Sequence, residues 1–211
     1  DLCEQNNVDW FMANRKIASD DLKSHISSNS RYVGNCFCEE EENAYNMVKR
    51  LHDDHGVTDL AVIGLTQGDA NGDLRDKGIA RACEELNINL LTETRGISDV
   101  ADITNAVEGI ITSYPEVNGI FIVGGAVTRG ALAGANQALA NHNMQAKVAI
   151  GMIDIAAGMD EYMGEGKPLR IVGGYCGNPP PRYFLSLIQG LGILNSETID
   201  KGLHGIRVLT Q

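Results

Sequence analysis

The sequence predicts an α/β fold, a parallel sheet flanked by helices. Three observations carry this. Short apolar runs of strand length alternate with segments whose apolar residues recur at three- and four-residue spacing. The runs Leu60–Leu65, Gly119–Val123 and Val148–Ile153 are almost continuously apolar, as strands buried on both faces are. The intervals between them suit crossover helices, which parallel neighbours require.

Taken in order, Val8–Ala13 (VDWFMA) is a compact apolar run and a first strand, ending at Asn14-Arg15. Asp20, Asp21 and Lys23 mark a loop or a short helix. Arg31–Phe37 (RYVGNCF) is a second extended run. From Glu39 the pattern turns helical, with Ala44, Met47, Val48 and Leu51 on one face. Its first turn carries Glu39 to Glu42, where the helix dipole favours anions; a solvated helix start outweighs a cation site. Leu60–Leu65 is the next strand. A polar loop, Thr66–Gly72, leads to a helix from near Asp73, with Ile79, Ala82, Cys83 and Leu86 on its inner face. Asn87–Leu91 is a short strand. Asp99 caps a helix carrying Ile103, Ala106, Val107, Ile110 and Ile111, which stops near Tyr114-Pro115. Gly119–Val123 runs into Gly124-Gly125 and a helix over 127–141. Val148–Ile153 ends at Asp154. A short helix over 157–163, a strand Leu169–Gly173, a break at Asn178 to Pro181, a helix over 183–194 and a strand Gly205–Leu209 complete the pattern.

Composition narrows the function. The 17 basic and 28 acidic residues give a formal net charge of −11, which argues against nonspecific binding to nucleic acid or anionic membrane. No run of about 18 apolar residues is present to span a bilayer as a helix. Asp1, Glu4 and Gln5 are not the basic start of a signal peptide, so the protein is expected to be cytosolic or to have lost a leader. Cys3, Cys36, Cys38, Cys83 and Cys176 form no C-x-x-C pair and read first as small apolar thiols; a metal or redox role for Cys36 and Cys38 is the lesser alternative.

Motifs of catalysis are not found. Gly124-Gly125 lacks both the G-x-G-x-x-G spacing and a following Lys-Ser/Thr, and suits a tight turn or close approach of a ligand to backbone. Asp69, Asn71 and Asp73 resemble the start of a calcium loop, but the twelfth position is Ala80 where a bidentate Glu is needed. His52 and His55 lie near a helix end, where cations cap. No G-x-S-x-G elbow and no Cys/His grouping is evident. No metal or cofactor is called for, and binding is expected rather than catalysis.

One constellation remains. Asn14, Arg15, Arg75, Gly124-Gly125, Asp154 and Asn178 each follow a strand or open the next helix. In open α/β sheets, ligands bind beyond the carboxyl ends of the strands. Arginine's planar fork and aspartate's two acceptors are what a polyhydroxylated ligand needs. Each has a structural alternative: Arg75 pairs with Asp73 or Asp76, and Asp154 caps the following helix. A cation in the first turns of a helix opposes the dipole, so Arg75 needs a ligand or a carboxylate to hold it.

At these residues the chain resembles the type I periplasmic binding proteins, the sugar-binding components of ABC transporters, which share a fold with lac-repressor-type effector domains. The resemblance rests on Asn14-Arg15, the R-x-x-G of Arg75 and Gly78, the run YPEVNGIFIVGGAVTRGAL, the strand VAIGMI ending at Asp154, and Asn178-Pro179. It implies that Asn14, Arg15, Arg75, Asp154 and Asn178 contact a small polar ligand, a sugar above all, between two lobes that close on it. It implies an ABC permease as partner and an extracytoplasmic place, periplasmic or as a cell-surface lipoprotein. In the full-length protein, Arg75→Ala is expected to cost more than about tenfold in affinity with folding intact. Gly124-Gly125 stands where the family has Asn-Asp, and Asp154 falls one residue later than its G-x-D pattern; the first departure implies a ligand other than a simple pentose or hexose. Rival readings are the effector domain of a lac-repressor-type regulator and an enzyme on a similar sheet.

The resemblance also implies an organisation: residues 1–33 as part of an amino lobe, 34–175 as a complete carboxyl lobe, 176–204 as a return helix and 205–211 as a final crossing strand. Two or three strand-helix units would precede Asp1. The flanks would then expose apolar surface and favour self-association. Cys36 or Cys38 would lie beside Cys176 on neighbouring crossings, where a disulfide is expected.

Overall fold

The computed structural model describes residues 2–13, 17, 19–36, 39–97, 99–123, 128–153, 159–162 and 170–175. The chain divides into two compact units; the described residues of Asp1–Glu39 belong to one and those of Glu40–Cys176 to the other.

The first unit holds α1 (Leu2–Gln5), β1 (Trp10–Ala13), α2 (Asp20–Ser27) and β2 (Tyr32–Cys36). Helix α1 was not expected from the sequence, whereas α2 is the helical alternative for the Asp20 region. Ser19 explains α2: its hydroxyl accepts the Leu22 N–H, and Asp20 and Asp21 occupy the dipole-favoured first turn. Strands β1 and β2 pair in parallel, with Trp10 opposite Tyr32 and their ring centroids 4.8 Å apart.

The second unit is a parallel sheet with helices on both faces. Its elements are α3 (Glu40–His55), β3 (Asp59–Gly64), α4 (Ala70–Leu86), β4 (Asn89–Arg95), α5 (Val100–Ser113), β5 (Gly119–Ile122), α6 (Thr128–Asn141), β6 (Ala149–Ile153), a 3-10 turn (Met159–Glu161) and β7 (Arg170–Tyr175). The strand order is β4-β3-β5-β6-β7, and every neighbouring pair is parallel. Alternate residues serve opposite faces. Leu60, Val62, Phe121 and Ile153 join α3 and α4 in one core cluster, while Ala61, Ile63, Ile120, Ile122 and Met152 join α5 and α6 in the other. The continuous apolar runs follow from this: β3, β5 and β6 are covered twice.

Three boundaries differ from the sequence expectation. Helix α4 begins at Ala70, not near Asp73, because the Asp69 carboxylate accepts the N–H groups of Asn71 and Gly72 as an N-cap. Strand β4 runs to Arg95 rather than stopping at Leu91. It lies at a sheet edge, where one side faces solvent and Thr92, Glu93, Thr94 and Arg95 are tolerated. In the region expected to be a helix over 157–163, the described element is the 3-10 turn Met159–Glu161. The expected helix over 183–194 and strand Gly205–Leu209 lie outside the described residues.

Candidate functional site

A parallel sheet collects the ends of its strands. The carboxyl ends of β3, β4, β5 and β6, at Gly64, Arg95, Ile122 and Ile153, lie along one edge of the second unit. At that edge the chain leaves β3 for α4 on one face and β5 for α6 on the other. The crevice between β3 and β5 is therefore a topological switch point, the place where α/β sheets bind ligands.

Arg75 reaches this crevice. It lies on α4, 6% exposed. Its Nε–H donates to Glu40 Oε2 at 2.8 Å, and its Nη1 donates to the Val123 carbonyl at 2.7 Å, just past β5. The carboxylate comes from the first residue of α3. The sequence alternative that paired Arg75 with Asp73 or Asp76 is thus corrected, because both carboxylates turn to Arg95 instead. Arg95 Nη1 is 3.4 Å from Asp73, Nη2 bonds Asp76, and Nε donates to Glu93 at 2.6 Å. Glu93 above all keeps the Arg95 guanidinium protonated. Desolvation, then the charge of Glu93, raises the Asp76 carboxyl above its ordinary value.

Gly78 explains the R-x-x-G spacing. A Cβ there would stand 2.0 Å from the Glu41 carbonyl oxygen, so only glycine lets α4 lie this close to the first turn of α3. Arg75 sits three residues earlier on the same face of α4 and meets the residue before Glu41. The acidic run at the start of α3 is correspondingly more than a solvated face. Glu40 is buried against Arg75, and Arg81 bonds Glu41 at 2.9 Å and Glu42 at 2.6 Å. Arg81 also stacks over the Tyr45 ring, 4.3 Å from its centroid. Sequence reasoning missed Glu40 and the Val123 carbonyl. The signal available was the need of Arg75 for a carboxylate, but 35 residues separate that pair.

Of the sequence-predicted site residues, Arg75 alone is described. Asn14, Arg15, Asp154 and Asn178 lie outside the described residues, as do Gly124-Gly125. Ile153, immediately before Asp154, ends β6 on the same edge as Val123. Cys38, Cys176 and the side chain of Cys36 also lie outside, and with them the expected disulfide. Among the described residues no group of three or more His, Cys, Asp or Glu side chains could hold a metal ion. The calcium-like stretch is occupied by the start of α4.

No family model and no curated protein matches the sequence. Solved structures do match the fold. An ABC transporter periplasmic solute-binding protein from Actinobacillus succinogenes 130z, with bound D-allose, aligns with TM-score 0.66 at 17% identity over 99% of this chain and 68% of that one. A periplasmic sugar-binding protein from Pseudomonas fluorescens gives TM-score 0.68 at 15% identity, covering 92% of this chain and 58% of its own. A carbohydrate transporter solute-binding protein from Agrobacterium radiobacter, in complex with D-arabinose, gives 0.62 at 14% identity, covering 89% and 62%. This chain spans 58% to 68% of the length of those three structures. With its parallel sheet and flanking helices, it has the type I periplasmic-binding-protein fold over that part of their length.

Proposed function

We propose that the protein is a solute-binding protein of an ABC transporter, taking a sugar or similar small polar ligand and delivering it to a membrane permease outside the cytoplasm. The observation that carries this reading is Arg75, a cation held at the switch point by two contacts of fixed direction. Those bonds use two of the five guanidinium N–H groups, and the others suit the hydroxyl oxygens of a polyol. Asn14, Arg15, Asp154 and Asn178 are the partner contacts in this reading, and no step of catalysis is required of any of them. The fold likeness to proteins solved with D-allose and D-arabinose supports the ligand class. Among the described residues, no helix is long and apolar enough to cross a membrane. A periplasmic or lipid-anchored form is the place this function requires.

The test is a thermal-shift screen of sugars, larger saccharides and sugar derivatives as well as pentoses and hexoses, D-allose and D-arabinose included, followed by calorimetric titration. A true ligand at a hundred times its Kd should stabilise the fold by about 2.7 kcal/mol. Arg75→Lys keeps the charge but loses the planar fork, and should weaken binding by about tenfold or more. A screen in which no sugar stabilises the protein defeats the reading.

A further inference from the structure

We infer that Glu40 is the positioning residue of the site: its buried carboxylate sets the plane in which the Arg75 guanidinium presents its remaining donors. The functional part of this inference rests on the reading of Arg75 as a ligand contact. Glu40 is 3% exposed, and only its Oε2 is engaged; its Oε1 has no hydrogen-bond partner among the described residues. A buried carboxylate with one oxygen unmatched is a costly choice. A buried ion pair seldom outperforms two apolar side chains of similar volume in stabilising a fold. Apolar packing was at hand, since Ala44, Met47 and Val48 of α3 lie in the core cluster that also takes in Val123. Stability is therefore a poor account of Glu40.

Orientation is a better one. A guanidinium held at one nitrogen still turns about the bonds of its long stem. Held at Nε by Glu40 and at Nη1 by the Val123 carbonyl, it has one plane and one direction left. The support is itself fixed. Gly78 brings α4 against the Glu41 carbonyl, so the backbone next to Glu40 is locked to the helix that carries Arg75. A site whose first contact is aimed by a second, rigidly carried group loses less freedom on binding.

The test reads Arg75 directly. In 15N-labelled protein the Nε–H signal of Arg75, identified by its loss in Arg75→Lys, should exchange slowly with solvent. Glu40→Ala should speed that exchange by about tenfold or more, while backbone amides of β3 and β5 stay protected. Glu40→Gln, which keeps an acceptor in the same place, should restore protection to within about threefold. Glu40→Met fills the volume and carries the comparison if Glu40→Ala does not fold. Unchanged Arg75 exchange in the folded variant without an acceptor overturns the inference. This readout needs no ligand, so its failure is distinct from failure of the sugar screen. With D-allose or D-arabinose as the binding probe, the affinity order wild type, then Glu40→Gln, then Glu40→Ala supports the role, and equal affinities in all three overturn it.

Discussion

Arg75 was legible as an anomaly before it was legible as a contact. A cation near the start of a helix, just after a strand, demands a partner. The sequence supplied no means of choosing one among several carboxylates. Burial now decides what its loss would do. The sequence led us to expect Arg75→Ala to leave folding intact; the buried pair points instead to a cost in stability. Removing the guanidinium leaves the Glu40 charge unpaired in the core. Urea denaturation should show Arg75→Ala destabilised by about 3–5 kcal/mol. The double change Glu40→Met with Arg75→Met removes both charges, and should be neutral or up to about 4 kcal/mol more stable. Equal losses in the single and double variants would show that the pair stabilises the fold in its own right. Cys83 gives a second expectation at this scale. Burial pushes its thiol up to about 11. Iodoacetamide near pH 8 (about the ordinary thiol range) should leave it unmodified in native protein and label it on unfolding. The folded-state value is raised, so the thiol form that burial favours holds through neutral pH and is lost only as pH climbs toward about 11. Rapid native labelling of Cys83 near pH 8 would contradict its burial.

Among the elements, the α3–α4 pair shows what a spacing can and cannot reveal. Helix faces were readable because Met47, Val48, Leu51, Ile79, Ala82 and Cys83 recur at helical intervals, and all six are buried. The start of α4 was misread because Asp69 looked like part of a polar loop, when its carboxylate was the cap. The end of β4 was misread because an edge strand need not be apolar. How closely two helices pack is invisible in either sequence alone, yet Gly78 fixes it. Gly78→Ala places a methyl group 2.0 Å from a backbone oxygen, which can yield only if a helix moves. Gly119→Ala meets Val57 Cγ1 at 2.3 Å, the end of a side chain that can turn. Both should destabilise by overpacking, of the order of 1–3 kcal/mol, with Gly78→Ala at or beyond the upper end. Thermal denaturation ranks them, and a milder effect at Gly78 would mean the two helices separate easily.

At the scale of the whole molecule, the second unit was readable because a doubly covered sheet writes its strands as unbroken apolar runs. The first unit was legible only in part: β1 and β2 fall within the runs Val8–Ala13 and Arg31–Phe37, whereas α1 carried no signal. Neither α1 nor α2 has a buried residue, and Leu2, Val8 and Leu22 are 74%, 51% and 46% exposed. Among the described residues its sheet is the β1–β2 pair, two strands wide, and two strands alone are marginal in water. The second unit has its own core, with Phe121, Leu60, Ile120 and Ile150 fully enclosed. Two consequences follow from that contrast. Amide exchange should be far faster in Trp10–Ala13 and Tyr32–Cys36 than in Gly119–Ile122, a strand paired on both sides and buried throughout. The exposed apolar side chains should also make the protein self-associate, so that light scattering gives a mass rising with concentration. Val8→Ser and Leu22→Ser, at exposed positions, should lower that mass without altering the melting of the second unit. A concentration-independent monomer whose β1 and β2 amides are as protected as those of β5 would show that these side chains are accommodated within the single chain.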